Sequence, residues 1–185
     1  MMRNIIKYSF FIAILGLISC GDDAVPKPKG HLRLDYPEAI YETFEPNCAY
    51  QFEVNKLGEI KNDNCSFEIN YPKMKATIYL TYKSVDGNIN DLLRDSQKLT
   101  YDHAIKADDI LEQPFLNDSK KVYGMFYQVG GNAATNAQFY VTDSVKNFVR
   151  GSVYFYAKPN YDSILPAAKY VQDDVRRIME TLEWK

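Results

Sequence analysis

Ala76-Thr77-Ile78-Tyr79-Leu80-Thr81-Tyr82-Lys83 alternates without a fault, with Ala76, Ile78, Leu80 and Tyr82 on one side and Thr77, Tyr79, Thr81 and Lys83 on the other. A period of two, written in β-branched and aromatic residues, is the pattern of a strand with one face on a core. Such a strand needs partners, and the chain offers them on both sides. Upstream, Tyr50, Phe52 and Val54 alternate with Ala49, Gln51 and Glu53, and a short strand is expected over Phe67 to Asn70, ending at Tyr71-Pro72. Gly58 and the Asn62-Asp63-Asn64 cluster predict a turn between those two strands. His31 to Pro46, polar and punctuated by proline, reads as a lead-in laid over the surface.

Downstream, Asp86-Gly87-Asn88 stops the strand, and Ile89, Leu92, Leu93, Ser96 and Leu99 fall at helical spacing. A helix running to about Lys106 is predicted, with Asn88 and Asp91 in a capping-box arrangement. An antiparallel meander should follow. Its strands are Ile110 to Leu116, Val122 to Val129, Ala137 to Thr142 and Phe148 to Ala157, with turns at Asn117-Asp118-Ser119-Lys120, Gly130-Gly131-Asn132 and Asp143-Ser144. Pro114 lacks the N–H that a central strand requires, so its strand belongs at an edge or a bulge. The chain should end in a helix capped by Asp162 or Ser163, with Ile164, Ala168, Val171, Val175, Ile178 and Leu182 forming an apolar stripe. The fold class is α+β: an antiparallel sheet of about six strands packed by helices.

Residues 36–185 are expected to form this single domain, and what precedes them has a different character. Arg3 and Lys7 lead into an apolar run from Tyr8 to Ile18, the layout of a secretory signal and too short for a confident membrane span. Leu17-Ile18-Ser19-Cys20 ends it with a branched apolar residue, a small residue and a cysteine, the pattern of a bacterial lipoprotein signal. Residues 1–19 are then the signal, Cys20 is the lipidated N-terminus, and residues 20–35, rich in Pro and Lys, are a tether. Two or more acyl chains hold a protein stably on a bilayer. A plain signal peptide or a membrane anchor are the alternatives. Gly21, where some bacteria use Asp to retain lipoproteins in the inner membrane, favours the outer membrane, with the domain facing the periplasm.

The whole chain carries 22 Lys+Arg against 24 Asp+Glu, and without Arg3 and Lys7 the balance is 20 against 24. That excess of acid argues against a nucleic-acid partner. Cys48 and Cys65 remain after Cys20, and in an oxidising compartment an isolated pair is a candidate disulfide, with two reduced, buried thiols as the alternative. The two cysteines and the distant His31 and His103 do not make a metal-ligand spacing, and no cofactor motif is present. Gly130-Gly131-Asn132 lacks the later Gly-Lys-Ser/Thr of a phosphate loop. A triad of Ser144, His103 and Asp143 would need tertiary assembly, because Ser144 lacks the Gly-x-Ser-x-Gly context. His103 reads better as a helix-end residue complementing the dipole, and Asp108-Asp109 and Asp173-Asp174 as surface pairs. Arg150 stands among apolar and aromatic residues in a strand; either it packs against tyrosine rings or, with Tyr154 and Tyr156, it anchors a protein interface.

The succession of Tyr71-Pro72 with Ala76-Thr77-Ile78, Leu99-Thr100-Tyr101 with His103, Lys106-Ala107-Asp108, and Gln138-Phe139-Tyr140 with Thr142-Asp143-Ser144 resembles the GldD-type gliding-motility lipoproteins. Arg150-Gly151, Tyr154-Phe155, Pro159-Asn160, Asp162-Ser163 and Trp184-Lys185 continue the resemblance in order. It implies a lipid-anchored, non-enzymatic envelope component needed for gliding and type IX secretion, working beside other gliding and secretion proteins. The alternatives are an envelope-modifying hydrolase or a lipoprotein that binds a small molecule or glycan.

Overall fold

The computed structural model describes Gly30, residues 33–103, 105–156 and 161–185. The chain divides into residues 1–30 and 31–185, and the fold below is that of the second unit. Cys20, the signal and most of the tether lie outside the described residues, as do Pro159 and Asn160.

Strand β5 (Ala76–Ser84) organises the fold. It pairs on one side with β4 (Ser66–Tyr71) over Ala76 to Leu80, and on the other with β9 (Asn147–Phe155) along its whole length. Two meanders are zipped together there. The first is β3 (Glu59–Asp63), β4 and β5; the second is β6 (Ala107–Asn117), β7 (Val122–Gly131), β8 (Ala137–Thr142) and β9. The result is a seven-stranded antiparallel sheet in the order β3-β4-β5-β9-β8-β7-β6. Pro114 sits in β6, the edge strand, where its missing N–H leaves no ladder bond unmade. Helix α1 (Ile89–His103) carries the chain from β5, in the middle of the sheet, to the far edge at β6, and therefore crosses one face.

The other face holds the main core. Phe67, Ile69, Ile78, Leu80, Phe126, Phe139, Val149 and Val153 are buried there against Val171, Val175 and Ile178 of α2 (Tyr161–Thr181). Beside α2 lies a second sheet of three strands, β1 (Tyr41–Phe44), β2 (Tyr50–Asn55) and β10 (Glu183–Trp184), with β2 central. The lead-in is thus partly a strand, because Tyr41 to Phe44 finds the open edge of β2. Full burial of side chains such as these stabilises by roughly 1.5–3 kcal/mol each before the entropy of ordering is set against it.

Three local readings change. Glu59 to Asp63 forms a strand of its own, and the turn tightens to the two residues Asn64 and Cys65, at φ 46° and 65°. Two consecutive left-handed residues make the turn whose twist matches a hairpin. Asn88 does not form a capping box with Asp91: its Oδ1 accepts from the Asp86 amide at 3.0 Å, and Asp91 pairs with Arg94 at 2.8 Å. At the start of α2 the Tyr161 amide donates to Oδ1 of Asn132, at 2.9 Å, so help comes from the β7–β8 loop.

Candidate functional site

The residues with unusual chemistry fall on the two faces of the large sheet. On the core face Asp174, 1 % exposed, projects from α2 into a polar cluster. Tyr41 of β1 donates to its Oδ1 at 2.6 Å, and Asn55 of β2 donates to its Oδ2 at 3.0 Å and to the Tyr170 hydroxyl at 3.0 Å. The Tyr71 hydroxyl, buried at the end of β4, is in the field of the same carboxylate without a well-aligned hydrogen bond. Burial pushes the Asp174 carboxyl up, and the donors from Tyr41 and Asn55 pull it back only in part. Among the described residues no cation pairs with it. Burial pushes the Tyr41 and Tyr71 hydroxyls well above the ordinary tyrosine range, and the carboxylate adds to the effect. Such hydroxyls stay protonated, and that of Tyr41 donates.

Tyr71 also lines a cavity of about 190 Å³ with Tyr36, Pro37, Leu57, Pro72 and Met74, and with Glu59 and Lys73. The Tyr36 ring reaches across to Tyr170, 5.5 Å between centroids. The cavity is smaller than the roughly 300 Å³ at which sites for drug-sized ligands begin. Asp174 was read from the sequence as half of a surface pair. Its phase contradicts that: it lies three residues after Val171 and four before Ile178, inside the apolar stripe of α2. Phase was the signal that would have found it.

On the opposite face α1 covers part of β9, β8 and β7. Its last residue, His103, meets Tyr154 of β9, Nδ1 to hydroxyl 3.1 Å. Burial pushes the His103 imidazole down and the Arg150 guanidinium adds to this against Asp102, so the ring is neutral at neutral pH. Tyr154 packs edge-on against Tyr79 of β5, and the Tyr79 hydroxyl bonds to that of Tyr156, which is 62 % exposed. The contact with Tyr156 pushes the Tyr79 hydroxyl up to about 12. Arg150 is half-buried on the same face, flanked across the ladder by Thr81 and Tyr140. Tyr154 and Tyr156 therefore lie together at the end of β9 with Tyr79, while Arg150, on the same face, is in the middle of the strand.

Asp143 and Ser144 are elsewhere. They form the β8–β9 turn, with Ser144 left-handed at φ 66°. Oδ1 of Asp143 accepts the amides of Val145, Lys146 and Asn147 at 2.7–2.9 Å, and its Oδ2 accepts from Asn147 Nδ2 at 2.8 Å. Burial pushes that carboxyl up, but these donors outweigh it and hold it below the usual range. His103 contacts Tyr154, seven strand residues beyond Asn147, which is roughly 23 Å at 3.3 Å per residue. Ser144, His103 and Asp143 do not assemble.

Cys48, just before β2, and Cys65, in the β3–β4 turn, are joined by a disulfide with Cα atoms 5.6 Å apart. Among the described residues no group of three His, Cys, Asp or Glu could hold a metal ion, and no helix is long and apolar enough to cross a membrane.

No curated protein matches the chain. The profile of the family described as gliding motility lipoprotein GldD matches residues 21–184, nearly all of the chain after Cys20. The chain belongs to the GldD gliding-motility lipoproteins.

Proposed function

We propose that the protein is a non-catalytic component of the gliding and type IX secretion apparatus, held to the envelope by lipid on Cys20 and acting by binding other proteins of that apparatus. The family match over residues 21–184 carries this reading, since the family is one of gliding-motility lipoproteins. Residues 1–19 are removed, residues 20–35 serve as the tether, and the domain of residues 36–185 faces the periplasm from the outer membrane. The binding surface is the half of the sheet that α1 leaves open, where Tyr79, Tyr154 and Tyr156 gather, with Arg150 at the border of α1. Tyrosine and arginine are the residues that most often anchor interfaces. Two facts favour binding over catalysis. The only triad the sequence offered is dispersed, and each of its polar groups except the Ser144 hydroxyl is held by a structural neighbour.

The test is a mild-detergent pull-down of the tagged, lipidated protein with crosslinking and mass spectrometry. Stoichiometric recovery of gliding or secretion proteins is expected, and it should be lost with Tyr156→Ala and Tyr79→Ala. Recovery of the protein alone at native abundance would overturn the reading.

A further inference from the structure

Among the buried side-chain atoms that have no hydrogen-bond partner in the described residues, the Tyr71 hydroxyl differs in that its residue also lines a cavity. Tyr71 is 2 % exposed, and the carboxylate whose field it feels, Asp174, already accepts from Tyr41 and Asn55. The hydroxyl lies against the β2–β3 turn. A Cβ built on Gly58 would stand 3.4 Å from it, and Gly58 is flanked by Leu57 and Glu59 of the cavity wall. The unmet group is therefore at the inner wall of the cavity. Three separate segments make the rest. The lead-in brings Tyr36 and Pro37, the β2–β3 turn brings Leu57, and the turn Pro72–Met74 after β4 closes the hollow. The Tyr36 ring packs on Tyr170, so that wall stands without any ligand.

The volume is about 190 Å³. An apolar cavity of about 150 Å³ is enough to hold benzene, so one substituted ring fits here. Water is a poor filler, because each molecule wants two to four polar partners and most of this wall is apolar. The charged residues of the wall, Glu59 and Lys73, are opposite in sign, so the site favours no net charge. Two tyrosine and two proline rings offer faces and edges on which an aromatic ring packs well. We infer that this cavity binds a free, neutral, single-ring molecule bearing a hydroxyl, a phenol in class, with its oxygen on the Tyr71 hydroxyl. A ligand hydroxyl suits whichever way the Tyr71 proton points, since it both donates and accepts. Walls converging from three segments make a hollow and not a groove along which a main chain could lie, which favours a free molecule over a partner's side chain. Tyr71 belongs to the core face of the sheet, so the site is separate from the Tyr79 surface and independent of the protein binding proposed there.

The test follows the Met74 methyl resonance of the isotope-labelled, full-length, lipidated protein in nanodiscs. The probes are p-cresol and p-xylene, its isostere with a methyl in place of the hydroxyl, and empty nanodiscs give the free probe concentration. p-Cresol should shift the signal saturably and bind about fivefold more tightly than p-xylene, the worth of one satisfied hydrogen bond. Tyr71→Phe should erase that preference. Leu57→Trp, at a position 41 % exposed, should fill the cavity and abolish both shifts. Melting temperatures of the two variants should stay near wild type, because the Tyr71 hydroxyl makes no bond within the described residues and Leu57 stands at the surface. Equal affinity of the wild type for both probes would overturn the hydroxyl-bearing class. Absence of any saturable Met74 shift would overturn the site. Tighter binding of N-acetyl-tyrosinamide than of p-cresol would overturn the free molecule in favour of a partner's tyrosine.

Discussion

Gly151 faces Leu80 and Phe139 across β9, and a Cβ built there would come within 2.1 Å of the Phe139 ring. The ring occupies the volume that the missing side chain vacates, and the backbone has no room to retreat in the middle of a seven-stranded sheet. Gly151→Ala should therefore cost about 1–3 kcal/mol, read as a lowered denaturation midpoint with an unchanged slope. Asp174 is the second residue whose setting decides its behaviour. Its carboxyl titrates above the ordinary 3.8 in the folded chain, so the folded state binds that proton more tightly than the unfolded state does. This group's contribution is most favourable below pH 3.8. It falls as pH rises to the folded value, and is constant beyond. Melting temperature followed against pH in Asp174→Asn should lack that falling segment, and an identical profile in both proteins would show that the carboxylate is not buried as described.

At the scale of the element, the β3–β4 hairpin depends on a clamp. Cys65 is left-handed in the turn, the disulfide ties it to Cys48, and the Tyr50 hydroxyl donates to its carbonyl at 2.8 Å. The C-terminus holds the same region, since Lys185 donates its amide to the Ala49 carbonyl and its Nζ to that of Pro46, both at 2.8 Å. Closing this short loop is worth about 3 kcal/mol in the chain-entropy account. The double substitution Cys48→Ala, Cys65→Ala should lower unfolding free energy by roughly that amount, and reduction of the native protein should reproduce the loss. Helix α1 is a contrast. Of its fifteen residues Leu92, Ser96 and Thr100 are the buried ones, and its apolar contacts form a small cluster with Val85 and Phe148 apart from the main core. It covers a polar, aromatic layer in which the amide nitrogen of Gln138 has no hydrogen-bond partner among the described residues. Its seat is weaker than that of α2, so hydrogen exchange should show α1 opening at lower free energy than the β5–β9 pair.

For the whole molecule, anchoring and folding should be separable. The core of the second unit is built of residues between Tyr50 and Leu182. Cys20→Ala should leave the fold's melting temperature within a degree or two and move the protein from the membrane to the soluble fraction of the envelope, which fractionation and intact mass would report. Gliding should fail if the apparatus needs the domain held at the bilayer. A variant that stays membrane-bound without Cys20 would assign the anchor to the apolar run Tyr8 to Ile18 instead.

Much of this was readable beforehand, for a physical reason that also marks where reading stopped. The β5 alternation, the meander from β6 to β9, the edge position of Pro114 and the stripe of α2 all follow from local periodicity and from proline's missing donor, which any environment must respect. The lipoprotein family follows from the order of short motifs along the chain. What folding alone decided are pairings between distant segments. The lead-in became β1 because β2 had an open edge, and Asn132 served the start of α2 from a loop 29 residues away. Asp174 met Tyr41 across 133 residues, and Arg177 of α2 found Glu53 of β2 across 124. Periodicity tells a residue which way it faces. The company it keeps there depends on contacts far apart in the chain, and those exist only once the sheet has closed.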